Sequence, residues 1–276
     1  MNDSLADRMK LYETVESGRR LMPLLPAVVR LDGRAFHTFV RGLAHPYDER
    51  LSRLMIETAA FLVRETAATI GYTQSDEITL AWIPDEFESQ VFFDGRAQKM
   101  GSVLAALCST YFNRRLPEFL PTEYGDRFPV FDCRVWNVPN LEEAANTFLW
   151  RELDASKNSI AMAARSFYSH AELDGKTGAQ MQELLWQKGV NWNDYPSFFK
   201  RGTYLARRTV ARSFAPDELE ELPTRHAARL NPELIVERTV LKMLELPPLV
   251  RVTNRVGVLF RGEEPQGTDG NSALES

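Results

Sequence analysis

"IGYTQSDEITLAWI", residues 70–83, holds two strand-like runs on either side of a two-residue polar turn, Ser75-Asp76, and its reading decides the fold. Read as a hairpin, it needs further strands beside it. Upstream, "LLPAVVRL" (24–31) is a short β-branched run around Pro26 and predicts a buried strand. Between the two, "DERLSRLMIETAAFLVRETAATI" from Asp48 sets Leu51, Leu54, Met55, Ala59, Leu62 and Val63 at three- and four-residue spacings, which predicts an amphipathic helix with an Asp cap. Downstream, "DGRAQKMGSVLAALCSTYFNRRL" reads as a second helix and "PVFDCRVWNV" (129–138) as a fourth strand. The order is βαββαβ, an α+β ferredoxin-like sheet with two helices on one face.

That topology gives two polar loops a common address. The first and third strands are antiparallel neighbours, so the end of "RLDG", with Asp32, lies beside the start of "EITL", with Asp76 and Glu77. Three carboxylates then converge at one sheet edge, where their repulsion needs a compensating cation. Mg²⁺ suits this set, because it takes oxygen ligands from one or two carboxylates and keeps places for water and phosphate. Gly33 fits as well, since a residue without a side chain lets its carbonyl approach a metal. Taken singly, each loop is also consistent with an exposed turn, and a metal-free carboxylate pair for acid/base work is a third reading.

Two bound metals would mean attack on a phosphorus atom. Arg96 and Lys99, three apart near the start of the second helix, share a face and could hold a triphosphate. His37 and His45 follow the aspartate loop and could join the same site, or be structural.

The rest of the chain limits the function classes. With 276 residues, 44% of them hydrophobic, it can bury a substantial core. No apolar run approaches the roughly 18 to 20 residues that a membrane span needs, and the polar start lacks a secretory h-region, so a cytoplasmic protein without a membrane partner is expected. Cys108 and Cys133 fit a reducing compartment. The net charge of −5 means that a polyanion must be met by local patches, such as Arg114 and Arg115, or Lys200, Arg201, Arg207 and Arg208 with Arg212. Trp192, Tyr195, Phe198, Phe199 and Tyr204 interleave with the second patch, as base-stacking residues would, or as core residues would.

Four segments are predicted. Residues 1–138 form a palm-like catalytic core. Residues 139–212 form an extension, with a long helix from Asn140 followed by an aromatic, basic loop. Residues 213–262 hold one apolar segment, "ELIVERTVLKMLEL", and one strand candidate, "RVGVLF". Residues 263–276 are expected to be a disordered tail.

"RLDGRAFHTF", "GYTQSDEITL", "DGRAQKMGSVLAALCSTYF", "FDCRVWNVP", "WRELDASKNS" and "FFKRGTYLARR" occur in that order. Together they resemble the tRNA-His guanylyltransferase family, above all its bacterial and archaeal "like" branch, from about residue 8 to about residue 210. The resemblance implies a polymerase-type palm with additional C-terminal helices that adds nucleotides to the 5′ end of tRNA, in the 3′ to 5′ direction, using GTP, ATP or other NTPs. It implies that Asp32, the Gly33 carbonyl and Asp76 bind two Mg²⁺ ions, with Glu77 in support. It also implies that Arg30, Arg34, Ala35, Phe36, His37, Ser75, Arg96, Lys99 and Asn158 meet the nucleotide or its triphosphate. Lys200, Arg201, Arg207 and Arg208 are then candidates for tRNA contact, and a homotetramer is expected.

One departure bears on specificity. Eukaryotic members carry a His-Ile-Asn-Asn run that helps to read the His anticodon; here the stretch is "SKNS", with Ser156 at the histidine position and only Asn158 kept. The lysine that the family places after the first motif is displaced too, and "GLAHPYDE" offers His45 instead. A general, template-dependent repair of 5′ ends is the nearer match. A palm-fold nucleotide cyclase or signalling-nucleotide synthase would share the metals without RNA, but the chain lacks a Gly-Gly-Asp-Glu-Phe loop. A non-catalytic RNA-binding member is disfavoured by intact carboxylates.

Overall fold

The computed structural model describes residues 4–84, 86 and 91–267. The helix α1 (Leu5–Ser17), capped by Ser4, precedes β1 (Ala27–Gly33) and a single helical turn, α2 (Phe36–Phe39). The helix α3 (Glu49–Glu65) starts where expected, at Asp48, whose side chain accepts from the Arg50 N–H at 3.0 Å. The hairpin follows as β2 (Ile70–Gln74) and β3 (Glu77–Trp82), then α4 (Ala97–Arg115) and β4 (Phe131–Asn137).

The expected βαββαβ arrangement is present, and it is larger than expected. The sheet has six antiparallel strands in the order β4-β1-β3-β2-β5-β6. Before the last two strands come α5 (Leu141–Arg165), α6 (His170–Leu173), α7 (Gly178–Gln187) and α8 (Ser197–Arg201). The strand β5 (Thr203–Arg212) then pairs with β2. After α9 (Pro216–Glu221) and α10 (Ala227–Leu230), β6 (Val236–Leu244) pairs with β5.

Two readings of the C-terminal half are corrected here. The "TYLARR" part of the basic segment is strand, not loop: Thr203 to Ala206 complete the hydrogen bonding of β2. "RVGVLF" is not strand but a helical turn over Gly257–Arg261. Its apolar side chains Val258 and Leu259 fill the core beside Val28 and Phe148, and the Arg208 guanidinium donates to both of their carbonyls at 2.9 Å. Of the expected disordered tail, residues 263–267 are held in place, the Thr253 N–H donating to the Gln266 carbonyl at 2.9 Å and the Gln266 N–H to Asn254 Oδ1 at 2.9 Å; the rest, from 268 onward, lies outside the described residues.

Alternation along the strands separates two cores. Val29, Leu31, Ile78 and Leu80 face α3 and α4, with Leu54, Leu62, Leu104 and Phe112. Val28, Ala81, Ile70, Tyr72 and Tyr204 face the other way, against Ala145 and Phe148 of α5. A third cluster joins α5, α7 and α8 and takes in Tyr47, Tyr195, Phe198 and Phe199. The aromatics between 192 and 204 are thus mainly core residues, and the base-stacking reading of that run fails for Phe199 and Tyr204, which are buried.

Candidate active site

Register places the carboxylates. Asp32 lies opposite Glu77 on β3 and opposite Asp132 on β4, so all three side chains stand on the α5 face of the sheet. The Gly33 N–H donates to the Asp76 carbonyl at 3.1 Å and ties the end of β1 to the hairpin turn. Ser75 takes a left-handed backbone conformation (φ 53°), and its hydroxyl donates to Asp76 Oδ1 at 3.1 Å. Burial pushes the Asp76 carboxyl up to about 6, and the neighbouring Asp32 and Glu77 push in the same direction.

The expected open cluster of three carboxylates is resolved differently. Glu77 is paired with Arg151, which reaches down from α5 with its side chain buried, and it lies 3.9 Å from Arg30 Nε. Burial raises its pKa against the pull of both arginines. Asp32 has looser partners, Arg30 at 3.5 Å and Arg134 at 3.9 Å. Among the described residues no three His, Cys, Asp or Glu side chains form a ready metal cage. Two aspartates with a backbone carbonyl remain, which is the sparse oxygen set that Mg²⁺ accepts.

The Gly33 position has a second cause besides access. A Cβ there would fall 2.3 Å from Cδ2 of Phe36, whose ring is buried in the core. What Phe36 can offer a nucleotide is therefore main chain, whereas Arg34, Ala35 and His37 around it are exposed. Beside Ser75, a cavity of about 120 Å³ is lined by Leu43, His45, Tyr47, Gln74, Met162 and Phe198 among others.

Sequence reasoning missed the arginine network. Along α5, Arg151 pairs with Asp154 at 2.9 Å, and Asn158 donates to the same carboxylate at 3.1 Å. The i, i+3, i+7 spacing of "RELDASKN" was the available signal. Asn158 thus reaches the edge through Asp154.

The remaining candidates separate along the sheet. Lys200 and Arg201 end α8 at the carboxylate edge, where Thr203 pairs with Thr73 and Tyr72 donates to the Arg201 carbonyl at 2.8 Å. Lys200 donates to the Asn193 carbonyl and lies over Trp192. Arg96 and Lys99 are at the opposite end: Arg96 bridges to Arg20, next to the end where Ala27 meets Trp82. Six residues of β1 separate that end from Gly33, roughly 20 Å. In one chain, then, Arg96 and Lys99 do not join the carboxylates, because the second helix begins where β3 ends. Arg207 and Arg208 are at that far end too, Arg207 donating to the Ala67 carbonyl at 2.7 Å and Arg208 held by Val258 and Leu259.

An antiparallel palm with two aspartates meeting at the mouth of its central strands defines a nucleotidyltransferase of the polymerase type. The family model described as tRNAHis guanylyltransferase matches residues 6–139. A bacterial tRNA(His) guanylyltransferase-like protein solved in complex with ATP is 38% identical, covers 74% of this chain and 88% of that one, and superposes with a TM-score of 0.69. Another solved in complex with GTP is 32% identical, over 90% and 94% of the two chains, with a TM-score of 0.67. The tRNA(His) guanylyltransferase of Schizosaccharomyces pombe is 26% identical over 224 residues, 76% of this chain and 83% of that protein. The chain belongs to the tRNA(His) guanylyltransferase family, and it is a 3′–5′ nucleotidyltransferase acting on tRNA.

Proposed function

We propose that this enzyme restores missing 5′ nucleotides of tRNA, choosing each NTP by pairing with the base opposite the gap. The observation that carries the chemistry is the meeting of Asp32 and Asp76 through the Gly33–Asp76 hydrogen bond. Two Mg²⁺ ions fit here: the donors are hard oxygens, and Asp76 is half-buried beside Asp32 and Glu77 with no cation paired to it among the described residues. Asp32, Asp76 and the Gly33 carbonyl would hold them, and when bound they supply an activated attacking oxygen and a hold on the triphosphate. Arg151 and Arg30 keep Glu77 beside the ligands as a carboxylate. The loop of Arg34, Ala35, Phe36 and His37, with Ser75, borders the incoming nucleotide, whose base enters the cavity between His45 and Gln74. Lys200 and Arg201 serve the tRNA backbone.

Ser156 supports general repair over anticodon reading, since it is a small side chain where a histidine would be needed. The palm of residues 1–138 supplies the chemistry, and residues 139–212 brace it. A homotetramer in the cytoplasm completes the reading, and within it Arg96 and Lys99 reach a triphosphate only in the site of a second copy. No described helix is long and apolar enough to cross a membrane.

The test is one tRNA shortened by its first nucleotide, made with each of the four opposing bases and offered labelled NTPs in Mg²⁺. The expected result is incorporation that follows the opposing base. Addition of G whatever the base, or activity confined to a His anticodon, overturns the template reading. NTP consumption without tRNA would favour a cyclase.

A further inference from the structure

The helix α5 covers only part of its face of the sheet. It packs on the sheet through Phe148, against Tyr72, Tyr204 and Val28, and leaves the end of β4 beside the carboxylates open. On β4 the side chains of Asp132 and Arg134 are 57% and 53% exposed. Trp150 stands at the flank of this shelf, 51% exposed. Its ring centroid is 5.7 Å from the Arg30 guanidinium carbon and 4.6 Å from that of Arg151, the two arginines that hold Glu77. Nε of each is buried without a hydrogen-bond partner, while the guanidinium ends meet carboxylates, Arg151 at Glu77 and Asp154 and Arg30 at 3.5 Å from Asp32. The indole is thus fixed from one side and open on the other.

A large aromatic surface fixed by cations and open to water is the arrangement on which a nucleobase stacks, with neighbouring arginines for phosphate. Its position adds a direction. The cavity near Ser75 flanks the carboxylates on the hairpin side, and Trp150 with Arg134 flanks them on the β1–β4 side. Two reactants that meet at one phosphorus atom need two such subsites, since attacking and leaving oxygens lie in line across it.

We propose that Trp150 is the stacking platform for the terminal base of the acceptor stem, with Arg134 holding a backbone phosphate next to it. This rests on the 5′-end repair reading above and names where the RNA end sits.

Trp150→Ala and Trp150→Phe are compared with the unaltered enzyme, using tRNA shortened by its first nucleotide and carrying 2-aminopurine at the terminal position. The expected result is an increase of about tenfold in KM for this RNA with alanine and less than about threefold with phenylalanine, since one base stacked on an aromatic accounts for that order of affinity. KM for the NTP stays within about twofold. The 2-aminopurine fluorescence, quenched by the unaltered enzyme, recovers with alanine. Arg134→Ala weakens RNA binding and lowers its salt dependence by about one ion. Thermal melting identifies an unfolded alanine variant, and the decision then falls on phenylalanine: RNA affinity lost together with the quench overturns the platform, and affinity kept with the quench supports it. Equal losses for RNA and NTP, unchanged RNA affinity with alanine, or dissociation of an oligomer by alanine also overturn it, the last by making Trp150 a contact between copies. An unaltered enzyme that is inactive on every shortened tRNA, yet still quenches the probe, overturns the repair reading and not the platform.

Discussion

Glu77 and Arg151 are 74 residues apart in the chain and form a largely buried ion pair that joins α5 to the catalytic hairpin. The pair continues to Asp154 and Asn158, so the order of the edge depends on one arginine.

Arg151→Ala leaves Glu77, largely buried, without its main cation, and Asp154, more than a third exposed, without its own, which together cost about 2–3 kcal/mol. Urea denaturation measures it. A loss below about 1 kcal/mol would mean that Arg30 alone satisfies Glu77.

Asp32→Ala and Asp76→Ala are expected to abolish nucleotide addition while thermal melting holds or rises. Each removes a metal ligand and also relieves repulsion between carboxylates. Full activity of either variant with Mg²⁺ as the only divalent ion would remove the aspartate pair from the chemistry.

Gly33→Ala forces a methyl group into the space of the Phe36 ring, at an expected cost of about 1–3 kcal/mol. In a Phe36→Leu background the same change should cost less, because the contact is shared. Equal costs in both backgrounds would separate the glycine from the ring.

Asp48 governs part of the acid stability. Its hydrogen bonds from Arg50, outweighing its burial, bring its pKa down from 3.8 to about 2, so its contribution is complete above pH 4 and disappears as pH falls toward 2. With Arg50 half exposed, this amounts to about 1–2 kcal/mol. Asp48→Asn should flatten the stability profile between pH 4 and 2, as seen by denaturation at fixed pH; an unchanged slope counts against the pair.

Arg96→Ala/Lys99→Ala tests the assembly. Alone it should lose NTP use, and mixed with an Asp76→Ala chain it should regain activity, because that chain still supplies Arg96 and Lys99 to the site whose Asp76 is intact. If mixing restores nothing, Arg96 and Lys99 do not act across copies.

The βαββαβ elements of the first 138 residues were legible because each announces itself within about twenty residues: alternation in the hairpin, helical spacing after Asp48, and a polar turn at Ser75; α1 was not, because its exposed, polar sequence carries no apolar stripe. The carboxylate meeting followed from topology alone. β5 was hidden because it is buried only over its first four residues and then runs out through "RRTVAR", whose charges read as loop. "RVGVLF" misled because β-branched residues fill a core equally well from a helical turn. Arg151 was hidden because an arginine between Trp150 and Glu152 reads as solvated charge, and only the approach of α5 to β3 shows its partner.

β5 also changes what kind of object the catalytic hairpin is. With Thr203 to Ala206 bonded along Ile70 to Thr73, β2 is an interior strand, although the stretch that encodes it lies in the middle of the palm sequence. A chain cut after residue 138 would keep both aspartates yet leave the apolar row of β2 with free N–H and C=O groups, an adhesive margin open to self-association. The C-terminal half is therefore the hairpin's built-in guard against aggregation, and a shortened palm should be lost to precipitation before it is lost to missing chemistry.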